Sequence, residues 1–351
     1  MEAKMPIKSH TELTDLGCRI MTAAGADAMV AQRVVDHLVG SNLIGVDSHG
    51  ILRLTDYVGW LPAGKVAREN RLEVLQDREA ACWLDAHFTY GAVAGSEASR
   101  IAAEKARRVG VGIVSVKNST HTGRLGEYVE HLAQDGLIGF FCCNAQGYGQ
   151  FVAPWGGREP RLTTNPIAWG FPSGREGRVI VVDMATSASP EGSIRLKSRR
   201  GEEIPSGHVI DAQGRDTTNP NDLFGPPPGA ILPFGQHKGY CLALVVEMLS
   251  GALSGGGCSR PVDQLYTHEN SFCVIAIDVE AIRPLAAVTT QIDDMIDYVT
   301  NSASVDDSSR VLYPYERELL ERERRLKNGI DVEQPTWDKI TDLARSLNVP
   351  V

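Results

Sequence analysis

The chain has 351 residues, 42% of them hydrophobic and 23% charged, a globular balance with room for one large domain or two ordinary ones. Its net charge of −9 argues against nucleic acid as the main partner, and no apolar run approaches the length of a membrane span. The opening MEAKMPIKSH lacks an apolar secretory core and the seven cysteines show no C-x-x-C spacing, so the expectation is a cytoplasmic protein with reduced, buried cysteines.

Helical periodicity marks 11–24 and 26–43, with Met29, Val30, Val34, Leu38 and Val39 on the inward face of the second. ACWLDA (81–86) predicts a short strand, 91–110 an alanine-rich helix closed by a glycine, and VGIVSV (111–116) a buried strand. A polar turn, KNSTHTG, then leads to a helix from about Arg124 to Gln134. Further buried strands are expected at 137–145, 166–172, 178–185 and 272–279. A polar Gly/Pro-rich stretch runs from about Ser198 to Pro233, and 238–253, apolar nearly all round, predicts a buried helix. Two more helices are expected at 315–329 and 336–347. Helices first and last with strands between them mean α/β of the mixed α+β kind.

Four polar patches interrupt these elements. In GVDSHGILRL (45–54), Asp47, Ser48, His49 and Arg53 bring together an acid, a hydroxyl, an imidazole and a guanidinium. A histidine beside a hydroxyl can exchange protons near neutral pH, and a guanidinium can grip a carboxylate through two bonds. The plainer account has Asp47 or Ser48 capping a helix and His49 solvated in a turn. In NSTHTGRLG (118–126) a strand ends, His121 is presented, and a helix beginning at Gly123 offers free N–H donors to an anion; an ordinary strand-to-helix turn would look the same. RLTTNPIAWGFP (161–172) and VVDMATSASPEG (181–192) place hydroxyls at strand ends, as turn makers or ligand contacts. In PFGQHKG (233–239), His237 and Lys238 open the apolar helix, where the helix dipole disfavours a cation unless an anion binds there; a distant carboxylate is the structural alternative.

No G-x-G-x-x-G follows a predicted strand and no Walker A pattern occurs, so any dinucleotide is held without the usual phosphate turn. GVGIVS and GYGQFV come closest. No His/Cys cluster has metal-ligand spacing. A serine hydrolase is disfavoured because Ser48 lies outside G-x-S-x-G and the side chains of adjacent Ser48 and His49 should diverge.

Together GVDSHGILRLTDYV, NSTHTGRLGEYVEHLAQDGLIGF, VAPWGGREPRLTTNPIAWGFP, VVDMATS, LPFGQHKGYCLALVVEMLSGALSGGG and KNGIDV resemble the type-2 malate/L-lactate dehydrogenase family over roughly residues 10–350. DAQGRDTTNP and GALSGGG look most like its hydroxycarboxylate dehydrogenase branch. The resemblance implies a non-Rossmann NAD(P)-binding fold with a largely antiparallel, mixed central sheet and helical N- and C-terminal parts. It implies a division into 1–80 with 310–351 as the helical substrate and dimer part and 81–309 as the NAD(P)-binding sheet part. It also implies a homodimer using NAD or NADP on a small 2-oxo or 2-hydroxy carboxylate, with no metal.

By this resemblance His49 donates or accepts the substrate proton with Ser48 beside it in the relay, and Arg53 clamps the substrate carboxylate, with Thr164 and Glu191 near the substrate. His121, Thr122, Gly123, Arg124 and Leu125, then Val182, Asp183 and Met184, then His237, Lys238 and Arg310 fall where the family holds the cofactor. The chain departs from the family pattern at two places. Glu191 and Ser193 stand near the acidic relay position of the imino-acid reductases, and YPYERE (313–318) replaces a frequent Pro-Gly-Glu. The expected activity is interconversion of a 2-hydroxy and a 2-oxo acid. A cyclic imino-acid (Δ1-piperideine or pyrroline-2-carboxylate) reductase is the alternative, and a non-catalytic ligand-binding dimer is the rival of a different kind.

Overall fold

The computed structural model describes residues 5–147, 149–261, 269–306 and 310–351, so Tyr148 of GYGQFV lies outside the described residues. A short strand β1 (Ile7–Lys8) leads into α1 (His10–Ala23). A capping box starts α1: the Ser9 hydroxyl accepts from the Glu12 N–H (3.1 Å), and the Glu12 carboxylate accepts from the Ser9 N–H (2.8 Å). Next comes α2 (Ala28–Leu43), capped by Asp27. Met29 is 81% exposed, against expectation; the inward stripe is Val30, Ala31, Val34, Val35 and Leu38, with the polar His37, Ser41 and Asn42 also inside. Two 3-10 turns, Asp47–His49 and Ile51–Arg53, then feed α3 (Leu54–Trp60).

The central elements follow as β2 (Glu73–Asp77), β3 (Ala81–Asp85), α4 (Gly91–Val109), β4 (Val111–Ser119), α5 (Gly126–Gln134), β5 (Leu137–Ala145), β6 (Ile167–Pro172) and β7 (Val179–Met184). After α6 (Glu191–Arg200), strands β8 (Val209–Ile210), β9 (Asp216–Thr217) and β10 (Ala230–Ile231) form a small sheet. Helix α7 (His237–Val246) continues as a π-helical turn, Glu247–Ala252. The chain ends with β11 (Asn270–Asp278), α8 (Leu285–Thr300), α9 (Glu316–Asn328), β12 (Ile330–Asp331) and α10 (Gln334–Ser346).

The main sheet has seven strands in the order β2-β3-β4-β11-β5-β6-β7. Every pairing in it is antiparallel except β3 with β4, which α4 joins as a crossover. The mixed, mainly antiparallel sheet is therefore as the sequence implies. On α4, Ala94, Ala98, Ala102 and Ala106 form a stripe without side-chain bulk, so the helix lies close on Val114, Val116, Phe272 and Val274. A second core joins the two ends of the chain: Leu13, Ile20, Val34, Leu38, Leu54 and Trp60 pack with Ile330, Val332, Ile340 and Ala344. The β1–β12 pairing reinforces that union.

Several expectations are corrected. The sheet begins at β2, which pairs with β3, and not at the strand expected at 81–86. The helix expected at Gly123 starts at Gly126. The helix expected to be buried all round is covered on one side only, because it lies on the outer face of the sheet; Leu244, Val245, Met248 and Leu253 face outward. All seven cysteines are free, but Cys241 is exposed and Cys18 and Cys258 are half-buried. Among the described residues no group of His, Cys, Asp and Glu could hold a metal ion, and no helix is long and apolar enough to cross a membrane.

Candidate active site

The turn carrying Asp47, Ser48 and His49 is fixed from two directions. Asn42, at the end of α2, donates from Nδ2 to Asp47 Oδ1 (2.5 Å) and accepts the Ile51 N–H on Oδ1 (2.7 Å). Arg325 of α9 forks onto Asp47, Nη1 to Oδ1 at 2.6 Å and Nη2 to Oδ2 at 3.0 Å, and Nη1 also reaches the Asn42 carbonyl (2.7 Å). A Cβ at Gly50 would lie 2.4 Å from the Asn42 amide, so only glycine lets the turn close on its clamp. Ser48 Oγ lies 3.0 Å from His49 Nδ1, although adjacent side chains were expected to diverge. The alternation that separates neighbours belongs to strands; the tight 3-10 coil brings the hydroxyl back over the ring.

Arg53 does not simply share a helix face with His49, because extended backbone at Gly50 separates the two 3-10 turns. Its Nε donates to the Ser48 carbonyl (2.9 Å), and its Nη2 lies 3.9 Å from where a Cβ would stand on Gly192, at the start of α6. Glu191, beside Gly192, pairs with Arg195 (2.6 Å). Burial first, then the positive charge of Arg53 and more weakly of Arg124, push His49 down to about 3, so the imidazole is neutral at neutral pH.

The His49 ring is stacked on His121 at 5.7 Å between centroids. His121 Nδ1 in turn meets the Tyr57 hydroxyl at 2.6 Å. Burial pushes the Tyr57 phenol up, so it remains a neutral hydroxyl. Sequence reasoning missed Tyr57, although its place four residues after Arg53 puts it one helical turn further along the same segment.

The turn from His121 to Leu125 splits into different environments. Thr122 is buried, its N–H and hydroxyl both directed at Asn270 Oδ1 (2.9 and 3.3 Å). The Leu125 side chain is a core residue of the sheet layer, which leaves its backbone to the turn. Arg124 is 5% exposed, with Nη2 at 3.3 Å from Glu130 and Nη1 at 3.5 Å from the Tyr315 hydroxyl, while Nε has no hydrogen-bond partner among the described residues. Arg322 also reaches Glu130 (2.8 Å), so this buried carboxylate ties α5 to α9. The first N–H of α5, at Gly126, is already taken by the Asp183 carboxylate (2.7 Å), so the free anion donors expected at this helix start are reduced.

Val182 lies in β7, with Asp183 and Met184 exposed at its end. The Thr186 N–H and hydroxyl bond to the Thr164 carbonyl (2.9 and 3.0 Å), joining the two hydroxyl-rich segments. The start of α7 packs against the same place: a Cβ on Gly239 would lie 2.6 Å from the Thr186 carbonyl. His237 and Lys238 are exposed there, which corrects the picture of an enclosed cation; a solvated lysine in the first turn costs only some tenths of a kcal/mol and requires no compensating anion. Arg310 is an exposed residue paired with Glu316 (2.8 Å). A nicotinamide dinucleotide is compatible with this donor set: an exposed carboxylate at Asp183 for hydroxyls, the exposed apolar surface of Met184, exposed cations at His237 and Lys238, and an unpartnered guanidinium nitrogen on Arg124.

The family model for malate/L-lactate dehydrogenase matches residues 8–341. A malate dehydrogenase from Pyrococcus abyssi is 35% identical, covering 96% of this chain and 94% of its own length. Hydroxycarboxylate dehydrogenase B from Escherichia coli is 34% identical over 93% of this chain and 90% of its own. Among solved structures, malate dehydrogenase from Entamoeba histolytica superposes with a TM-score of 0.92, at 29% identity and 99% coverage of both chains. A Δ1-piperideine-2-carboxylate reductase from Pseudomonas syringae does so with a TM-score of 0.84, at 29% identity, covering 97% of this chain and 100% of its own. The chain belongs to the malate/L-lactate dehydrogenase family.

Proposed function

We propose that this chain is a nicotinamide-dependent oxidoreductase that interconverts a 2-hydroxy acid and a 2-oxo acid. The observation that carries this reading is the Ser48–His49 pair, 3.0 Å apart, with a guanidinium beside it and a second imidazole stacked on it. When bound, NAD or NADP supplies the two-electron acceptor or donor for the substrate carbon. Arg53 holds the substrate carboxylate, with Nη2 turned toward the start of α6 where Glu191 stands and Nη1 near Asp56 (3.8 Å). His49 takes the proton of the substrate hydroxyl in oxidation and returns it to the carbonyl oxygen in reduction, while Ser48 orients the ring through Nδ1. Tyr57 and His121 hold the opposite wall. Asp183, Met184, His237, Lys238 and the 121–125 turn hold the cofactor, Arg124 through its unpaired Nε and Thr122, Gly123 and Leu125 through backbone; Arg310 belongs to the same side, and Thr164 to the substrate side.

In this reading the helical ends of the chain form the substrate and dimer part and the sheet forms the cofactor part. The outward apolar face of α7 supports a homodimer, and seven free thiols support a cytoplasmic setting. A cyclic imino-acid reductase is the second reading, favoured by the likeness to the Pseudomonas syringae reductase; Glu191 and Ser193 at its acidic relay position count against it. The test is a panel of 2-oxo acids and cyclic imines followed by absorbance of NADH and NADPH. Oxidation of either cofactor by a 2-oxo acid supports the first reading and turnover of the imine alone supports the second. No turnover with any of them, in both directions, would overturn both and leave a non-catalytic ligand-binding dimer.

A further inference from the structure

We propose that His37 is a positioning residue that closes the 121–126 turn into its dinucleotide-holding shape; the proposal rests on the reading above, in which that turn lies on the cofactor side. His37 is on α2, far from the turn in sequence, and its side chain is wholly excluded from solvent. The Arg124 N–H donates to its Nε2 at 3.0 Å. Nε2 therefore carries the lone pair, and the ring proton belongs on Nδ1, which faces the Glu127 carboxylate. The imidazole thus touches the turn at Arg124 and the first turn of α5 at Glu127, and spans the bend between them.

The surroundings are built for that one tautomer. Glu127 also receives Arg33 Nη2 (2.5 Å), and Arg33 is held by Ser96 (2.6 Å), so the carboxylate facing Nδ1 is anchored independently of His37. Burial pushes the Glu127 carboxyl up, but His37, Arg33 and Arg124 outweigh it and hold it well below the usual range. Gly123 has a φ of +71°, and a Cβ there would lie 2.0 Å from His37 Nε2; the bend is shaped around the ring. Tyr128 stacks on His37 at 5.6 Å and donates its hydroxyl to the Thr122 carbonyl (2.6 Å). Two stacked rings therefore fix one carbonyl and one N–H of the same turn, setting the backbone direction with which His121 reaches His49.

A buried imidazole serving only as filler would be replaceable by any side chain of similar volume; one that acts through Nε2 would not. In His37→Gln the side-chain amide reaches about as far as Nε2 and can accept the Arg124 N–H, whereas in His37→Asn it falls short, and in His37→Leu no acceptor remains. Binding of NADH and NADPH to the full chain is measured by nicotinamide fluorescence, alongside thermal midpoints. For whichever cofactor the wild type binds, the expected result is a Kd raised about tenfold in His37→Asn and His37→Leu, and within about threefold of wild type in His37→Gln. Equal affinities in the Gln and Asn variants would overturn the assignment, and that pair decides the matter if the Leu variant does not fold. Wild-type protein that binds neither dinucleotide would instead overturn the functional reading on which the proposal rests.

Discussion

The two turns that meet at the stacked histidines are held by different chemistry, although α2 anchors both. The 47–53 turn is held by charge: Asp47 takes a two-pronged bond from Arg325, and Asn42 braces both of its ends. The 121–126 turn is held through backbone groups by neutral rings, His37 and Tyr128, and its helix start is sealed by Asp183. A turn that must place a proton-transferring side chain tolerates little angular error, and a bidentate carboxylate fixes angle as well as distance. A turn that presents backbone beside a ligand needs its peptide planes fixed. His37 and Asn42, five residues apart on one helix, keep the two turns in register.

The largest break in this comparison comes from removing the proton carrier. His49→Asn keeps a polar side chain in the 3-10 turn and is expected to lower kcat by about 10²–10⁴-fold. The 121–126 turn should not notice, so NADH or NADPH affinity by fluorescence stays within about twofold of wild type. A variant with wild-type turnover would remove His49 from the chemistry.

Acidity separates the two directions of the reaction. With His49 pushed down to about 3, the ring is already deprotonated as the hydroxy-acid oxidation requires, so kcat/KM for oxidation should show no histidine limb between pH 5 and 8. Reduction needs the protonated ring, whose population falls about tenfold per pH unit above that value, and kcat/KM for the oxo acid should fall with the same slope. A break near pH 6.5 in either profile would contradict the half-buried, Arg53-facing environment. Stability carries the same sign. The unfolded histidine binds its proton near pH 6.5 while the folded one resists to about 3, so this contribution is intact above about 6.5 and is lost as pH falls toward 3.

Arg325→Met removes the charged clamp, together with the bonds of Arg325 to the Asn42 carbonyl (2.7 Å) and to Glu321 (2.5 Å). It leaves Asp47 with Asn42, and because the Asp47 side chain is 47% exposed, water recovers part of what is lost. The expected cost is about 1–2 kcal/mol in denaturant unfolding and about tenfold in kcat, with cofactor affinity unchanged. Equal losses in kcat and cofactor affinity would mean that α9 supports the whole site and not the proton-transferring turn in particular.

How much of this was visible in the sequence follows the range of each interaction. The alanine stripe of α4, the buried run of β5 and the glycine that ends α4 are local patterns and are found where expected. The polar sets around His49 and His121 were legible because unlike groups crowd into a few positions. What escaped was mostly long-range or weakly patterned. Arg325 lies 278 residues from Asp47, and His37 lies 87 from Arg124, each in a helix whose own pattern explains it without reference to a site. Lys238 misled for the complementary reason. An apolar run looks buried whichever side the chain covers, and the outward face of α7 is visible only once the sheet has been assembled.

The smallest expected effect is that of Ser48→Ala, and it sharpens the comparison most finely. Among the described residues the Ser48 hydroxyl bonds only to His49 Nδ1, at 3.0 Å; it is the Ser48 carbonyl that receives Arg53. Alanine therefore leaves the Asp47 clamp and the Arg53 bond in place and removes only the group that biases the ring toward one tautomer and orientation. One neutral hydrogen bond is worth about 0.5–1.5 kcal/mol, which sets the loss in kcat at about 2- to 12-fold, well below that of His49→Asn. The substrate KM should stay within about twofold, since the carboxylate clamp is untouched. A loss as large as that of His49→Asn would make Ser48 an obligatory member of the proton path, and no loss at all would mean that the stacked His121 ring suffices to orient His49.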